Sequence, residues 1–133
     1  MRGTGLVCMA LLLAGNAARA DEAWKCSLVE SHHFVQGRDV AQRGGGDYLI
    51  QIKPKVINLM ANGHFIIDYK IIENSRFRLF GEKRTELGGG ESRTARLTLD
   101  KVHGRISQSG MSHKGDSEEL EEMMSGRCSE TPK

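Results

Sequence analysis

The chain has 133 residues, 38% of them hydrophobic, with 19 basic and 17 acidic side chains. That length allows one hydrophobic core, and a net charge of +2 is too small for a dedicated nucleic-acid binder.

Residues 1–20 read as a cleavable secretory signal. Arg2 supplies the leading positive charge, Leu6 to Ala14 form an unbroken apolar run, and Ala18-Arg19-Ala20 presents the small residues a signal peptidase reads. A bilayer-spanning helix needs about 20 apolar residues, so this run predicts export and cleavage before Asp21. Cys8 lies too early in the run for a lipoprotein site. The predicted mature protein is a single small β-rich domain over 21–133, with no membrane span after cleavage. Losing Arg2 and Arg19 leaves 17 basic and 17 acidic residues, so the pI near 8.5 describes the precursor. Cleavage also removes Cys8. Cys26 and Cys128 remain, and in an oxidising compartment they predict one disulfide. It would close a loop of about 100 residues, worth roughly 4 to 5 kcal/mol by chain entropy.

Two glycine runs, 44–46 and 88–90, divide the rest. The first segment carries Trp24 and the pair His32-His33. Tyr48 to Lys53 predicts a strand ended by Pro54. Val56–Ala61 and His64–Ile72 flank Asn62-Gly63, the strongest short hairpin signal. A two-residue turn opposes Ala61 to His64, Met60 to Phe65, Asn58 to Ile67 and Val56 to Tyr69. The expected core face is then Val56, Met60, Phe65, Ile67, Tyr69 and Ile71, with Asn58 as a polar intruder.

Asn74-Ser75 turns the chain into a third strand, Arg76 to Phe80. A two-residue loop puts Phe77 and Leu79 on the mixed face, and a three-residue loop puts them on the apolar face. Thr94 to Asp100 alternates, with Ala95, Leu97 and Leu99 inward. Lys101 to Gly104 reads as a turn and Arg105 to Gln108 as the return strand. Asp116 with Glu119 predicts a capped short helix, with Leu120, Met123 and Met124 as its stripe and Gly126 as its stop. The expected fold class is mainly β: a small antiparallel meander or open barrel closed by one disulfide, with at most a short helix or two.

No pattern names a reaction. His32 and His33 point to opposite faces of a strand, and His64, His103 and His113 lack ligand spacing, so no metal site is expected. Neither glycine run continues as a P-loop, and there is no Gly-x-Ser-x-Gly. No catalytic residue and no cofactor are expected. Charge, however, is segregated. Residues 76–105 hold Arg76, Arg78, Lys83, Arg84, Arg93, Arg96, Lys101 and Arg105 against four acids, a local +4. Residues 116–130 hold six acids against Arg127, a local −5. Either the acidic stretch packs over the basic strands, or those strands offer a face to an anionic envelope component or an acidic protein surface.

The layout resembles that of small bacterial periplasmic proteins such as the inhibitors of C-type lysozyme, which are small β-barrels. Their Ser-Gly-x-Arg-Tyr loop motif has no match, because Ser109-Gly110 is followed by Met111-Ser112-His113. No binding residue is carried over. The expected function is that of an exported, non-enzymatic binding or accessory protein of the bacterial periplasm or envelope. The alternative is a small envelope-polymer hydrolase using carboxylates among Asp100, Asp116 and Glu118 to Glu122.

Overall fold

A computed structural model describes residues 22–43, 46–61 and 64–132. Residues 1–21, which include the expected export signal, and Gly44-Gly45, Asn62-Gly63 and Lys133 lie outside the described residues, and so does the expected Asn62-Gly63 turn. Among the described residues nine antiparallel strands follow one another: β1 (Glu22–Val35), β2 (Arg38–Arg43), β3 (Asp47–Ile52), β4 (Val56–Ala61), β5 (His64–Asn74), β6 (Arg78–Gly88), β7 (Glu91–Asp100), β8 (Arg105–Lys114) and β9 (Ser117–Glu130). Each pairs with the next in a meander, except that β2 and β3 both lie along the same edge of β1. They form one interrupted stave. β9 then pairs with the other edge of β1 and closes an eight-stave barrel. Closure pairs β1 and β9, the first and last strands, with each other, while β5 and β6 pair only along their lower halves, Lys70 to Asn74 against Leu79 to Glu82.

The Cys26–Cys128 disulfide sits on that closing seam, where the two cysteines are directly opposed. It joins the first stave to the last across 102 residues of sequence.

The lower half of the barrel, near the loops at 53–55, 75–77 and 101–104, is packed with apolar side chains. Ile50, Ile57, Leu79, Leu97 and Leu99 are wholly buried, with Trp24, Ile52 and Ile106 around them. Gly81 is needed here: a Cβ on it would lie 2.6 Å from Ile57 Cδ1 and 2.9 Å from Tyr69 Cβ. The bottom is sealed by polar contacts. Trp24 Nε1 donates to Glu22 at 2.8 Å, and Lys101 Nζ donates to Glu22 at 3.1 Å and to Asn74 at 2.6 Å.

Two expected details are corrected. The hairpin starts in the register its turn predicts, Ala61 opposite His64 and Met60 opposite Phe65. Ile66 is then an extra, bulged residue, and Leu59 opposes Ile67, Asn58 opposes Asp68 and Ile57 opposes Tyr69. Ile57 and Leu59 therefore join Ile67, Tyr69 and Ile71 inside, in place of Val56 and Met60. The bulge removes the polar intruder, because Asn58 now faces outward beside Asp68. The second correction concerns the short helix expected after Asp116. Gly115 and Asp116 form a turn, and Ser117–Glu130 is the strand that closes the barrel. A helix there would leave the facing edges of β8 and β1 unpaired, and this tertiary demand overrides the local capping signal.

The third strand begins at Arg78, after a three-residue loop. Leu79 is wholly buried, as that loop length predicts, while Phe77 stays in the loop and is 63% exposed. The strand over Thr94 to Asp100 alternates as expected, with Leu97 and Leu99 at 0% exposure. Among the described residues, no helix is long and apolar enough to cross a membrane.

Candidate functional site: the barrel mouth

Above Tyr69 the filling changes character. The inward positions of β6 to β9 become Lys83 and Thr85, Arg93 and Ala95, Gln108 and Gly110, and Glu122 and Met124. With Tyr48, Leu59 and Ile67 opposite, these side chains line a cup of about 450 Å³. That volume falls within the range of small-molecule sites. An eight-stranded barrel has an interior just wide enough to be filled by side chains or to hold one small ligand. This barrel combines the two, filled below and hollow above.

The cup has an apolar floor and a charged wall. Leu59, Ile67 and Met124 supply the apolar surface. Arg93 Nη2 meets Glu122 Oε2 at 3.1 Å, with both side chains partly exposed. Gly110, which opposes Glu122 on β9 and Ala95 on β7, makes room for this pair: a Cβ there would sit 3.1 Å from Arg93 Nη2. Lys83 reaches Asp68 at 2.7 Å, and this hydrogen bond holds the Asp68 carboxyl below its ordinary value. The boundary between floor and core is Tyr69, whose hydroxyl accepts a hydrogen bond from Gln108 Nε2. Burial, and secondarily the charge of Glu122, push the Tyr69 hydroxyl well above its ordinary value, so it stays protonated.

The eight basic residues singled out in the sequence are divided by strand alternation. Lys83 and Arg93 line the mouth. Arg78, Arg84 and Arg96 lie on the outer wall and pair with Glu73, Glu86 and Glu82. Lys101 is the buried cation of the basal seal. Arg76 stands in the loop over the Phe77 ring at 5.9 Å. Arg105 faces outward from the base of β8. The acidic run is divided in the same way: Glu122 enters the mouth, Glu118 meets His113 at 3.3 Å on the rim, and Glu130 lies at the base near Trp24. The packing of acidic over basic strands is thus realised inside the barrel by one pair, Arg93 and Glu122. Tyr48, Gln108 and Met124 were missed as site residues. The one signal for them in β8 is the period-2 row Ile106, Gln108, Gly110, which turns from apolar to polar along the strand.

His32 and His33 also have separate fates. His33 is exposed on β1, while His32 Nδ1 lies 2.6 Å from Asp39 and its Nε2 contacts Glu30. A neutral imidazole has one N–H, so facing carboxylates from both nitrogens favours the imidazolium. The hydrogen bond to Asp39, then that to Glu30, raises the His32 pKa. A raised folded pKa stabilises the β1–β2 hairpin below the unfolded value of about 6.5, and this is lost as pH rises through the folded value. In an NMR titration His32 is expected to titrate above about 6.5, and Asp39→Asn to bring it back toward that value. Equal titration curves in both proteins would refute the assignment.

Together these features define a class: an eight-stranded up-and-down antiparallel barrel with a ligand-sized cup in its mouth. No family model matches the chain, and neither a curated protein nor a solved structure is significantly similar to it.

Proposed function

We propose that this chain is an exported, non-enzymatic binding protein of the bacterial periplasm or envelope, and that it takes up one small amphiphilic molecule in the barrel mouth. The observation that carries this reading is the half-filled barrel: side chains pack the lower half, while the upper half keeps a cup of about 450 Å³ with an apolar floor and the Arg93–Glu122 pair on its wall. Export draws support from the signal pattern, and the Cys26–Cys128 disulfide is compatible with an oxidising compartment. Binding is favoured over carboxylate chemistry because, among the described residues, Glu122 is the one carboxylate lining the cup, and it is paired with Arg93. An acid–base mechanism of the glycosidase kind asks for two carboxylates flanking one bond.

The reading is tested with anilinonaphthalene sulfonate, whose rings suit the apolar floor and whose anion suits the charged wall. Thr85 is an exposed rim residue, so Thr85→Trp obstructs the mouth with little demand on the core. One saturable site is expected, with affinity lowered about tenfold or more in Thr85→Trp and an unchanged circular dichroism spectrum. Undiminished binding by the folded variant would place the dye elsewhere and defeat the proposal.

A further inference from the structure

Arg105 belongs to the basic segment of the sequence and Arg127 to the acidic one, 22 positions later in the chain. The pairing of β8 with β9 sets them directly opposite each other. Both are exposed on the outer wall, because their neighbours Ile106 and Gly126 are buried on the inner side. Like charges at directly opposed positions on one face of a sheet repel. Six other cations of the same basic segment have carboxylate partners: Arg78, Arg84, Arg93, Arg96, Lys83 and Lys101. Arg105 and Arg127 have none among the described residues.

The neighbouring strands do not supply one. Asp100 opposes Arg105 on β7, but its oxygens accept from the Val102 and His103 backbone N–H groups and from the His103 ring. Ser27 opposes Arg127 on β1, and the next residue along that row, Asp47, accepts the Ser27 hydroxyl at 3.1 Å. Lys25, exposed two residues before Ser27, adds a further positive charge to this wall. One step up the strands, Ser107 opposes both Ser125 and Thr98, placing three hydroxyls in a row. Thr98, Ser107 and Ser125 line a groove of about 440 Å³ together with Arg105, Arg127 and Asp100, whose carboxylate is already engaged by the His103 and Val102 donors.

We propose that this groove binds a phosphate monoester group, held between the Arg105 and Arg127 guanidinium forks with the serine hydroxyls beside it. Charge decides the class of ligand. Two guanidinium groups on directly opposed residues of one groove supply two positive charges and so match a dianion, whereas a carboxylate or a phosphodiester carries a single charge. Geometry agrees, since each fork donates two parallel N–H bonds and a terminal phosphate offers three oxygens. The site lies on the outside of the barrel, so it is independent of what fills the mouth.

The test uses inorganic phosphate and glycerol 3-phosphate as probes, with sodium chloride at matched ionic strength as the control. The arginine Nε–Hε signals of Arg105 and Arg127 are followed by NMR. Saturable shifts of both signals are expected with either phosphate. Arg127→Gln and Arg105→Gln should each weaken binding about tenfold or more. Phosphate should raise the melting temperature of the parent and not that of Arg127→Gln. In phosphate-free buffer Arg127→Gln should melt no lower than the parent, because it relieves repulsion. Identical shifts with chloride, an affinity equal to the parent's in both glutamine variants, or loss of phosphate binding in Thr85→Trp would each overturn the proposal. The last result would assign phosphate to the mouth.

Discussion

Replacing Cys26 and Cys128 together by alanine is expected to lower stability by about 4 to 5 kcal/mol. The bridge spans 102 residues, so without it the unfolded ensemble regains nearly the whole entropy of the chain. Its position makes the effect structural as well. β1 and β9 are the strands furthest apart in sequence, and their pairing alone converts a meander into a barrel. Loops in the meander close over a few residues, but this seam must close over about a hundred, where the entropic cost is greatest. If total stability is of the usual order, about 5 to 15 kcal/mol, the reduced protein is marginal. Denaturant unfolding of the parent and the double variant measures the difference. A loss below about 1 kcal/mol would mean that strand pairing holds the seam unaided. Opening the seam would expose the edges of β1 and β9, so the variant should also aggregate more readily on heating.

Tyr69→Ala should cost about 3 to 5 kcal/mol and change the mouth as well as the stability. The Tyr69 ring is wholly buried and divides the packed lower half from the cup. Truncation removes the partition, so the cup should deepen toward Leu97 and Ile57. Ligands too long for the parent should then bind, which calorimetry with a series of alkyl sulfonates of increasing chain length would reveal. Tyr69→Phe keeps the partition and removes only the acceptor for Gln108 Nε2. Its expected cost is about 1 to 3 kcal/mol, the penalty for leaving a buried polar group unpaired. The alanine variant alone should accept longer ligands. Equal ligand ranges in both variants would show that Tyr69 is not the floor. Alkali provides a consistency check. A phenol whose folded pKa is raised favours the fold below its unfolded pKa, about 10, and this contribution is lost as pH rises above it.

The bulges show why the fold was only partly legible. Val29, Ile66, Ile72 and Leu87 are each the extra residue where a register shifts, and all four are at least half exposed. In sequence they look like core residues, and they shift the alternation of everything beyond them. An alternating pattern gives the two faces of a strand but not the point at which they exchange, because a bulge is stabilised by strands that are distant in sequence. The hairpin illustrates this. Its turn set the first two pairs as expected, and Ile66 then moved Ile57 and Leu59 inside. The segment after Asp116 failed for a related reason. Its capping pattern is a local preference worth about 1 kcal/mol, while the strand satisfies two long ladders of backbone hydrogen bonds.

The candidate site depended still more on tertiary structure. Eight basic residues formed one group along the chain, but in a barrel alternate residues lie on opposite sides of the wall. Arg93 was thereby sent to Glu122 inside, and Arg105 to Arg127 outside. Neither pairing has a short-range signature, since both partners come from strands whose register is set by bulges and turns elsewhere.

By itself the sequence determined that the chain is β-rich, that its described strands alternate and turn back on themselves, and that Cys26 and Cys128 are the pair expected to form the disulfide. These follow from local chemistry: side-chain period, turn residues and the count of thiols. Tertiary structure alone decided that the meander closes, which charged residues face in, and that the filling stops at Tyr69. Those outcomes depend on register between distant strands, and register is a property of the assembled sheet.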